Sequence, residues 1–587
     1  MIAARFDDLT PTAERAFTLE EPTAVLEAHR PDEVVPVLDA AERASRGGGW
    51  VAGFVAYEAA PGLDAALAVR ARADDGPAID LPLAWFGVFD QRRPAPALDP
   101  PPSAPALPGP WSPSVSRERY DAAIEAIRAS IAAGETYQVN HTFRLRTRIA
   151  ADDRELYRHL CLAQRGGYAA YLDTGRHRVL SASPELFFRI DGERILTRPM
   201  KGTAPRGRWL EEDLEVARRL RASEKDRAEN AMIVDLLRND LGRICTPGGV
   251  EWSDLFRTER YETVWQLTSA ISGTLRPGTG LADVFRALFP SGSVTGAPKV
   301  STMAIIAELE DAPRGVYCGA VGYLAPPGSG GPRATFNVAI RTVVVDVASG
   351  LAEYGVGGGV TFDSSASAEH EEAFAKARVL TVARPAFALF ETLRWSPTDG
   401  FRHLQEHLAR MRSSATYFGF AFDRDAAARV LGSAVGGSME LRVRLTLQRS
   451  GELQAESTPL EPPVQAPVRL AVDDDPVDPA DVWLFHKTTW REPYERRRAR
   501  WPDVDDVVLV NRLGEVTETT VANLAVALGD TWVTPPRGAG LLAGTYRDVL
   551  LREGRLRERP ITVSELRCAR ALAVVSSVRG WRPAVLA

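Results

Sequence analysis

Cysteine is scarce in this chain: four residues in 587. Cys161, Cys245, Cys318 and Cys568 are far apart and form no Cys-x-x-Cys pair. That excludes a disulfide framework or a cysteine zinc site and points to reduced thiols in a cytoplasmic protein. No apolar run approaches the ~18 residues of a membrane span. The opening MIAARFDDLTPTAERAF has no apolar core of the kind a signal peptide needs. Positive charge is not concentrated anywhere, and the net charge is −6. Nucleic acid is therefore not expected as the main ligand. The eight histidines are scattered, so a bound metal would more naturally be Mg²⁺ held by carboxylates.

What is present is ordinary for a globular protein, at 45% hydrophobic and 25% charged residues. The length calls for about three cores, or two large ones. Trp50–Tyr57 reads as a strand, and Arg93–Pro113 as a proline-rich connection. Helical patterns are predicted over Ser116–Ala133, Glu224–Leu241, Val300–Leu309 and Ala368–Val382. Ala383-Arg384-Pro385 reads as a junction. Beyond it stand a helix, His403–Tyr417, and strands at Leu441–Gln448, Val507–Val510 and Leu524–Leu528. No internal repeat is visible. The pattern predicts α+β architecture in three stretches: 1–110, 111–384 and 385–587.

One group of residues suggests an anion and metal site. The segment Thr197-Arg198-Pro199-Met200-Lys201-Gly202-Thr203-Ala204-Pro205 places a lysine in a turn-forming stretch after a strand-like run. Glu369, Glu372 and Lys376 share one face of a predicted helix, and Glu229 lies on another. Two glutamates on separate helices can chelate Mg²⁺ together with waters and an anionic ligand. Pro290–Lys299, containing Thr295 and Gly296, leads into a helix whose free amides can hold an anion. Gly357, Gly358 and Gly359 can offer unobstructed amides. Arg341 is a candidate bidentate clamp for a carboxylate. Taken singly, each feature is more often a salt-bridged surface or a tight turn.

Together and in this order, the segments Ile131–Asn140, Ser183-Pro184-Glu185, Thr197–Pro205, the Glu229 helix, Pro290–Lys299, Phe336–Thr342, Gly355–Thr361 and Glu369–Lys376 resemble the chorismate-utilising enzymes. The resemblance covers roughly residues 110–382 and extends weakly upstream, making 1–110 the N-terminal part of the same domain. It implies a large α+β sandwich around a cleft that binds Mg²⁺-chorismate. The metal ligands would be Glu229 and Glu372, with Glu369 alongside, and Arg341 and Lys376 would bind the carboxylates. The lysine form of the 197–205 segment resembles the aminodeoxychorismate synthases; the anthranilate synthases typically carry alanine there. Lys201 would then act as a covalent nucleophile, which requires a lowered pKa. Glu185 is the candidate general acid or base. Gln266 stands where many members have histidine, so an acid–base role at that position is lost.

The last stretch carries a second group: Phe390-Glu391-Thr392, Arg410, His486-Lys487-Thr488, Glu518, and Gly544-Thr545-Tyr546. These resemble the fold-type IV pyridoxal-phosphate enzymes, over about 386–587, with a two-subdomain α/β unit. The resemblance makes Lys487 the lysine that binds pyridoxal 5'-phosphate covalently and Glu518 the partner of its ring nitrogen. Arg410, the amides of Thr545 and Tyr546, and a hydroxyl near Ser577 would hold the phosphate. Thr392, where the branched-chain aminotransferases tend to have glycine, suggests the aminodeoxychorismate lyases.

The expected whole is a two-step enzyme taking chorismate to p-aminobenzoate for folate synthesis. No glutaminase segment with a nucleophilic cysteine is visible, so ammonia is expected from a glutamine amidotransferase subunit. A homodimer through the C-terminal stretch is also an expectation. The alternatives are an aminotransferase or a catalytically silent module in the second part, or an anthranilate synthase in the first.

Overall fold

In the computed structural model, which describes residues 3–10, 15–71, 79–99, 107–149, 152–381, 385–462 and 465–587, the chain divides into two units. The first comprises 1–205 and 217–384, and the second 206–216 and 385–587. The short insertion 206–216 is the point at which the second unit departs from a simple C-terminal block. Part of the proline-rich connection and part of the expected junction lie outside the described residues.

The first unit is built on two large antiparallel sheets. In one, the long strand Gln138–Arg148 pairs with Leu351–Val360, followed outward by Thr342–Asp346, His177–Ser183, Tyr168–Asp173 and Ala3–Asp8. In the other, Met200–Pro205 lies beside Val264–Leu275, followed by Arg194–Arg198, Leu186–Asp191, Ala334–Val338, Ala320–Leu324 and Trp50–Val55. Alternating apolar side chains bring the sheets face to face: Phe6, Leu172, Val179 and Val344 of one pack with Phe54, Trp85 and Val321 of the other. Helices cover both outer faces. Leu38, Ile233, Leu237 and Phe285 pack on one sheet, while Ile124, Leu160 and Ala373 pack on the other. Close packing explains Gly53, where a Cβ would stand 1.9 Å from the Trp85 carbonyl.

The helices that carry the acidic residues start at defined caps. Ser223 accepts from the Asp226 amide and begins Glu224–Gly242. Ser365 accepts from the Ala368 amide and begins Ala366–Ala377. Each cap contributes about 1 kcal/mol and sets the rotation at which the glutamates emerge. The second helix ends sooner than the sequence pattern suggests. The Lys376 carbonyl, near its end, is taken by the Arg341 guanidinium and the Tyr354 hydroxyl, and the chain turns into the 3₁₀ segment Arg378–Leu380.

One local expectation is corrected, and the structure locates two further segments. Lys201 lies in a strand, Met200–Pro205, rather than in a turn. The ladder to Val264–Leu275 shifts register between Met200 and Thr203, so Lys201 sits in a bulge-like irregularity followed by Gly202 at φ +91°. The glycine run is also strand, Leu351–Val360, paired along its length with Val139–Arg148. Its other neighbour reaches only Tyr354, which leaves Gly355–Gly359 with one open edge. Arg341 lies past the end of Ala334–Val338, in the left-handed region at φ +53°.

The second unit has two parts. A four-stranded antiparallel sheet includes Leu389–Ser396, Leu441–Leu447 and Leu453–Pro459, with Leu404–Phe418 packed on its apolar face through Leu408, Met411 and Ala415. An eight-stranded mixed sheet follows, with Val468–Val472 parallel to both Asp506–Val510 and Gly580–Leu586. No helix among the described residues is long and apolar enough to cross a membrane.

Candidate active site

A cavity of about 340 Å³ in the first unit is lined by Glu185, Lys201, Glu229, Arg341, Gly357, Gly358, Gly359, Glu369, Glu372 and Lys376. Residues drawn from strands and helices far apart in sequence thus meet in one place. Lys376 Nζ bonds the Gly357 carbonyl at 2.9 Å from the open strand edge and pairs with Glu372 at 2.7 Å. A Cβ on Gly358 would stand 3.0 Å from Glu369 and 3.5 Å from Lys376 Nζ. Glycine is needed there for charged groups to reach the backbone.

Lys201 is held from behind. Asn230 donates to the Lys201 carbonyl (3.4 Å) and the Leu267 carbonyl (3.3 Å), and accepts from Ser269 at 2.6 Å. Burial lowers the Lys201 pKa; Glu229 opposes the shift and Lys376 adds to it. Glu185 behaves in the opposite sense. Burial raises its carboxyl to about 7, against a 2.6 Å hydrogen bond from Ser293, the charge of Lys201 and the Met200 amide. An amine with a lowered pKa and a carboxyl with a raised one therefore face the same cavity, a pairing suited to nucleophilic and acid–base chemistry.

Thr295 and Gly296 do not line this cavity; Ser293 and Val294 do. Gly296–Ala297 forms a short strand against Gln138–Val139, and Thr295 bonds the Ser291 carbonyl. The start of the following helix is likewise not part of the lining, and Lys299 is engaged by Asp240 at 3.2 Å. Gln138 had not been singled out. Its side-chain amide is buried with neither polar atom partnered. A Cβ on Gly359 would meet it at 2.2 Å and Lys201 Nζ at 2.5 Å, so the two nitrogens are neighbours. No sequence spacing reveals this, because the two residues stand on strands of different sheets.

Among the described residues, no three carboxylate, histidine or cysteine side chains form a group able to hold a metal by themselves. Glu369 is bonded by Ser364 at 2.6 Å and Glu372 by Lys376. Burial raises the Glu229 pKa, the neighbouring Glu372 charge adding to it and Lys201 opposing it. This donor set fits Mg²⁺, which commonly takes one or two carboxylates and completes its shell with water and an anionic ligand.

In the second unit, burial lowers the Lys487 pKa to about 8; Arg410 and Arg491 reinforce the shift, while Glu391 and Glu518 oppose it. The amine lies 4.7 Å from the Phe390 ring centroid. Glu391 is buried and receives Arg410 through two nitrogens, at 2.7 and 2.9 Å, and His407 at 2.6 Å. Arg410 also bonds the Ala543 carbonyl at 3.0 Å, beside the helix Thr545–Arg552, whose N-cap Gly544 supplies no side-chain cap. The free amides of that helix start and the remaining guanidinium hydrogens suit a phosphate. Tyr546 stacks its ring against Arg402 and His403. Ser577 is buried just after the strand Ala571–Ser576. Burial raises Glu518 to about 8, despite hydrogen bonding from the Leu542 amide. A carboxyl so placed fits the protonated ring nitrogen of pyridoxal phosphate, whose charge would favour ionisation. Thr392 is half-buried on the same strand as Phe390.

Residues 8–382 match the family of chorismate binding enzymes, which decides the matter for most of the chain. The protein belongs to the chorismate binding enzyme family. Residues 388–586 match the amino-transferase class IV family. This chorismate binding enzyme is 41% identical over 280 residues to anthranilate synthase component 1 of Streptomyces coelicolor, covering 47% of this chain and 54% of that protein. It is 43% identical over 298 residues to aminodeoxychorismate synthase of Streptomyces griseus, covering 49% and 40% respectively. The matches thus span about half the length of these relatives. The structure of anthranilate synthase component I from Streptococcus pneumoniae superposes with a TM-score of 0.54 at 25% identity, covering 63% of this chain and 92% of that one. Relatives of both synthase types are similar to this chorismate binding enzyme, so overall similarity does not choose between them.

Proposed function

We propose that the first unit aminates chorismate at C4 and that the second eliminates pyruvate from the product, giving p-aminobenzoate. The observation that carries the first half is Lys201: an amine with a lowered pKa in the cavity that also holds Glu185. The anthranilate synthases, by resemblance, have alanine there and no such nucleophile.

The chemistry is a double displacement. Lys201 Nζ adds at C2, the ring double bond shifts, and the 4-hydroxyl departs as water with a proton from Glu185. Ammonia then adds at C4 and the C2–N bond breaks, returning its electrons to Lys201; Glu185 takes back a proton. Each step uses an amine nucleophile and an acid–base group near neutrality. Arg341 and Lys376 hold the substrate carboxylates. Glu229 and Glu372, with Glu369 beside them, would hold Mg²⁺, which neutralises carboxylate charge. Ammonia is supplied by a glutamine amidotransferase partner.

In the second unit, Lys487, Glu518, Arg410 and the Thr545 and Tyr546 amides would hold pyridoxal phosphate. The cofactor supplies an electron sink for carbanion chemistry at the amine-bearing carbon. Lys487 removes the ring proton at that carbon, and Thr392 assists the transfer. Loss of pyruvate then makes the ring aromatic. We place the enzyme in the cytoplasm and its second unit in a homodimer.

Purified protein given chorismate, Mg²⁺, ammonium and pyridoxal phosphate should yield p-aminobenzoate. Anthranilate would refute the first assignment. Accumulating aminodeoxychorismate would refute the second.

A further inference from the structure

The second unit contains eleven residues from within the first half of the chain, Arg206–Val216, which begin five positions after Lys201. They are densely held. Arg206 grips Asp213 through two nitrogens at 2.7 and 2.8 Å and lies 4.3 Å over the Tyr417 ring. The Tyr417 hydroxyl donates to the Gly207 carbonyl at 2.7 Å. Arg208 bonds the carbonyls of Pro479 and Gly538. Trp209 packs on Phe485 with ring centroids 5.1 Å apart, and Leu210 joins the core of the four-stranded part.

These contacts converge on the residues before Lys487. His486 is buried between Tyr417 and Phe418, at 4.5 and 4.6 Å between centroids. Its Nε2 lies 3.1 Å from the Arg208 carbonyl. A carbonyl only accepts, so Nε2 carries the proton and Nδ1 accepts from the Ser414 hydroxyl at 2.9 Å. Burial pushes the ring pKa down to about 3, so this tautomer persists at neutral pH. On the other side, Phe390 N–H donates to the Lys487 carbonyl and Thr489 N–H to the Ala388 carbonyl. The backbone of Lys487 is therefore stitched to the Leu389–Ser396 strand after the lysine and to the inserted segment before it.

We propose that His486 is a positioning residue for Lys487, and that Arg206–Val216 is the strap that fixes it through the Arg208 carbonyl. The second catalytic site is then completed by a piece of sequence from the synthase half, and the two halves are not separable modules. The inference rests on the reading that Lys487 binds pyridoxal phosphate. Without the strap, Phe485 and His486 lose their cover and the lysine amine loses a fixed origin. Displacement of a reacting group by about 1 Å can cost about a hundredfold in rate.

The test uses the full-length chain loaded with pyridoxal phosphate. His486→Leu removes the ring donor, while His486→Gln keeps an N–H that can reach the Arg208 carbonyl. His486→Leu should change the pH midpoint and the maximum of the cofactor's visible absorption and slow p-aminobenzoate release from aminodeoxychorismate about ten- to a hundredfold. His486→Gln should restore both. The combined change Arg208→Gly, Trp209→Ser, Leu210→Gly should reproduce the His486→Leu behaviour with the histidine intact. Wild-type absorption and rate in His486→Leu and in the combined variant overturn the proposal. Should both misfold, Tyr417→Phe removes only the hydroxyl bond to Gly207: a smaller change in the same direction supports the strap, and none overturns it. If the wild-type protein takes up no pyridoxal phosphate, or Lys487→Ala keeps the absorption, the reading of the second site fails and the strap proposal falls with it.

Discussion

Replacing Glu185 by glutamine should trade activity for stability in a pH-dependent way. The carboxyl is buried, and its pKa rises from 4.5 to about 7 because burial outweighs the Ser293 hydrogen bond and the Lys201 charge. A shift of that size corresponds to about 3 kcal/mol between its two protonation states. The sign follows from proton uptake. A carboxyl whose folded pKa is raised binds its proton more tightly in the folded state. Its contribution is fully present below about 4.5 and is lost as pH rises through about 7. Glutamine cannot ionise and keeps the shape of the protonated acid. Ligand-free Glu185→Gln should therefore match the wild type near pH 4.5 and exceed it at pH 8, by up to about 3 kcal/mol. Calorimetric unfolding of the two proteins at both pH values gives the comparison. The same variant should lose about 10²–10⁴-fold in the amination rate, along with the fall in wild-type activity as pH rises through about 7. Stability differences that do not change between pH 5 and 8 would refute the burial argument, and wild-type amination by the variant would refute the acid–base role.

Lys201→Ala should abolish formation of aminodeoxychorismate or redirect it to another product, while uptake of pyridoxal phosphate by the second unit is unchanged; chromatography and the visible spectrum read the two separately. Gly359→Ala would place a methyl 2.2 Å from the Gln138 amide and 2.5 Å from Lys201 Nζ; it should abolish amination and cost about 1–3 kcal/mol in stability, measured by product analysis and thermal unfolding. With the Lys487 pKa lowered to about 8, its reactive neutral form grows as pH rises. The rate at which cofactor-free protein captures pyridoxal phosphate should climb through about pH 8 and level off above it; a flat stopped-flow profile between pH 7 and 9 would count against Lys487. Lys487→Ala should halt the sequence at aminodeoxychorismate.

Much of the site was legible because its residues carry chemistry at recognisable spacings. Glu369, Glu372 and Lys376 share a helix face, and the structure puts that face against Gly357 and Gly358. Lys201 stood out as a lysine among turn formers, although it proved to sit in an irregular strand. The errors have a common source in contacts between residues distant in sequence. Thr295 and Gly296 looked like an anion loop, yet the ladder with Gln138–Val139 turns them away from the cavity lining. Gln138 and Lys201 stand on strands of different sheets and meet beside Gly359, which no local pattern reports. The segment Arg206–Val216 followed the lysine in sequence and read as part of the first half. Its contacts, among them those with Tyr417, Phe485 and His486, assign it to the second unit.

The central claim is that Lys201 bonds to the substrate. Wild-type protein mixed with chorismate and Mg²⁺ in the absence of ammonia, then quenched and weighed by intact mass spectrometry, tests it directly. A mass increase equal to chorismate less one water, mapped to the peptide containing Lys201 and missing from Lys201→Ala, is the expected result. A wild-type protein that stays unmodified under these conditions, or an adduct that persists in Lys201→Ala, would contradict it.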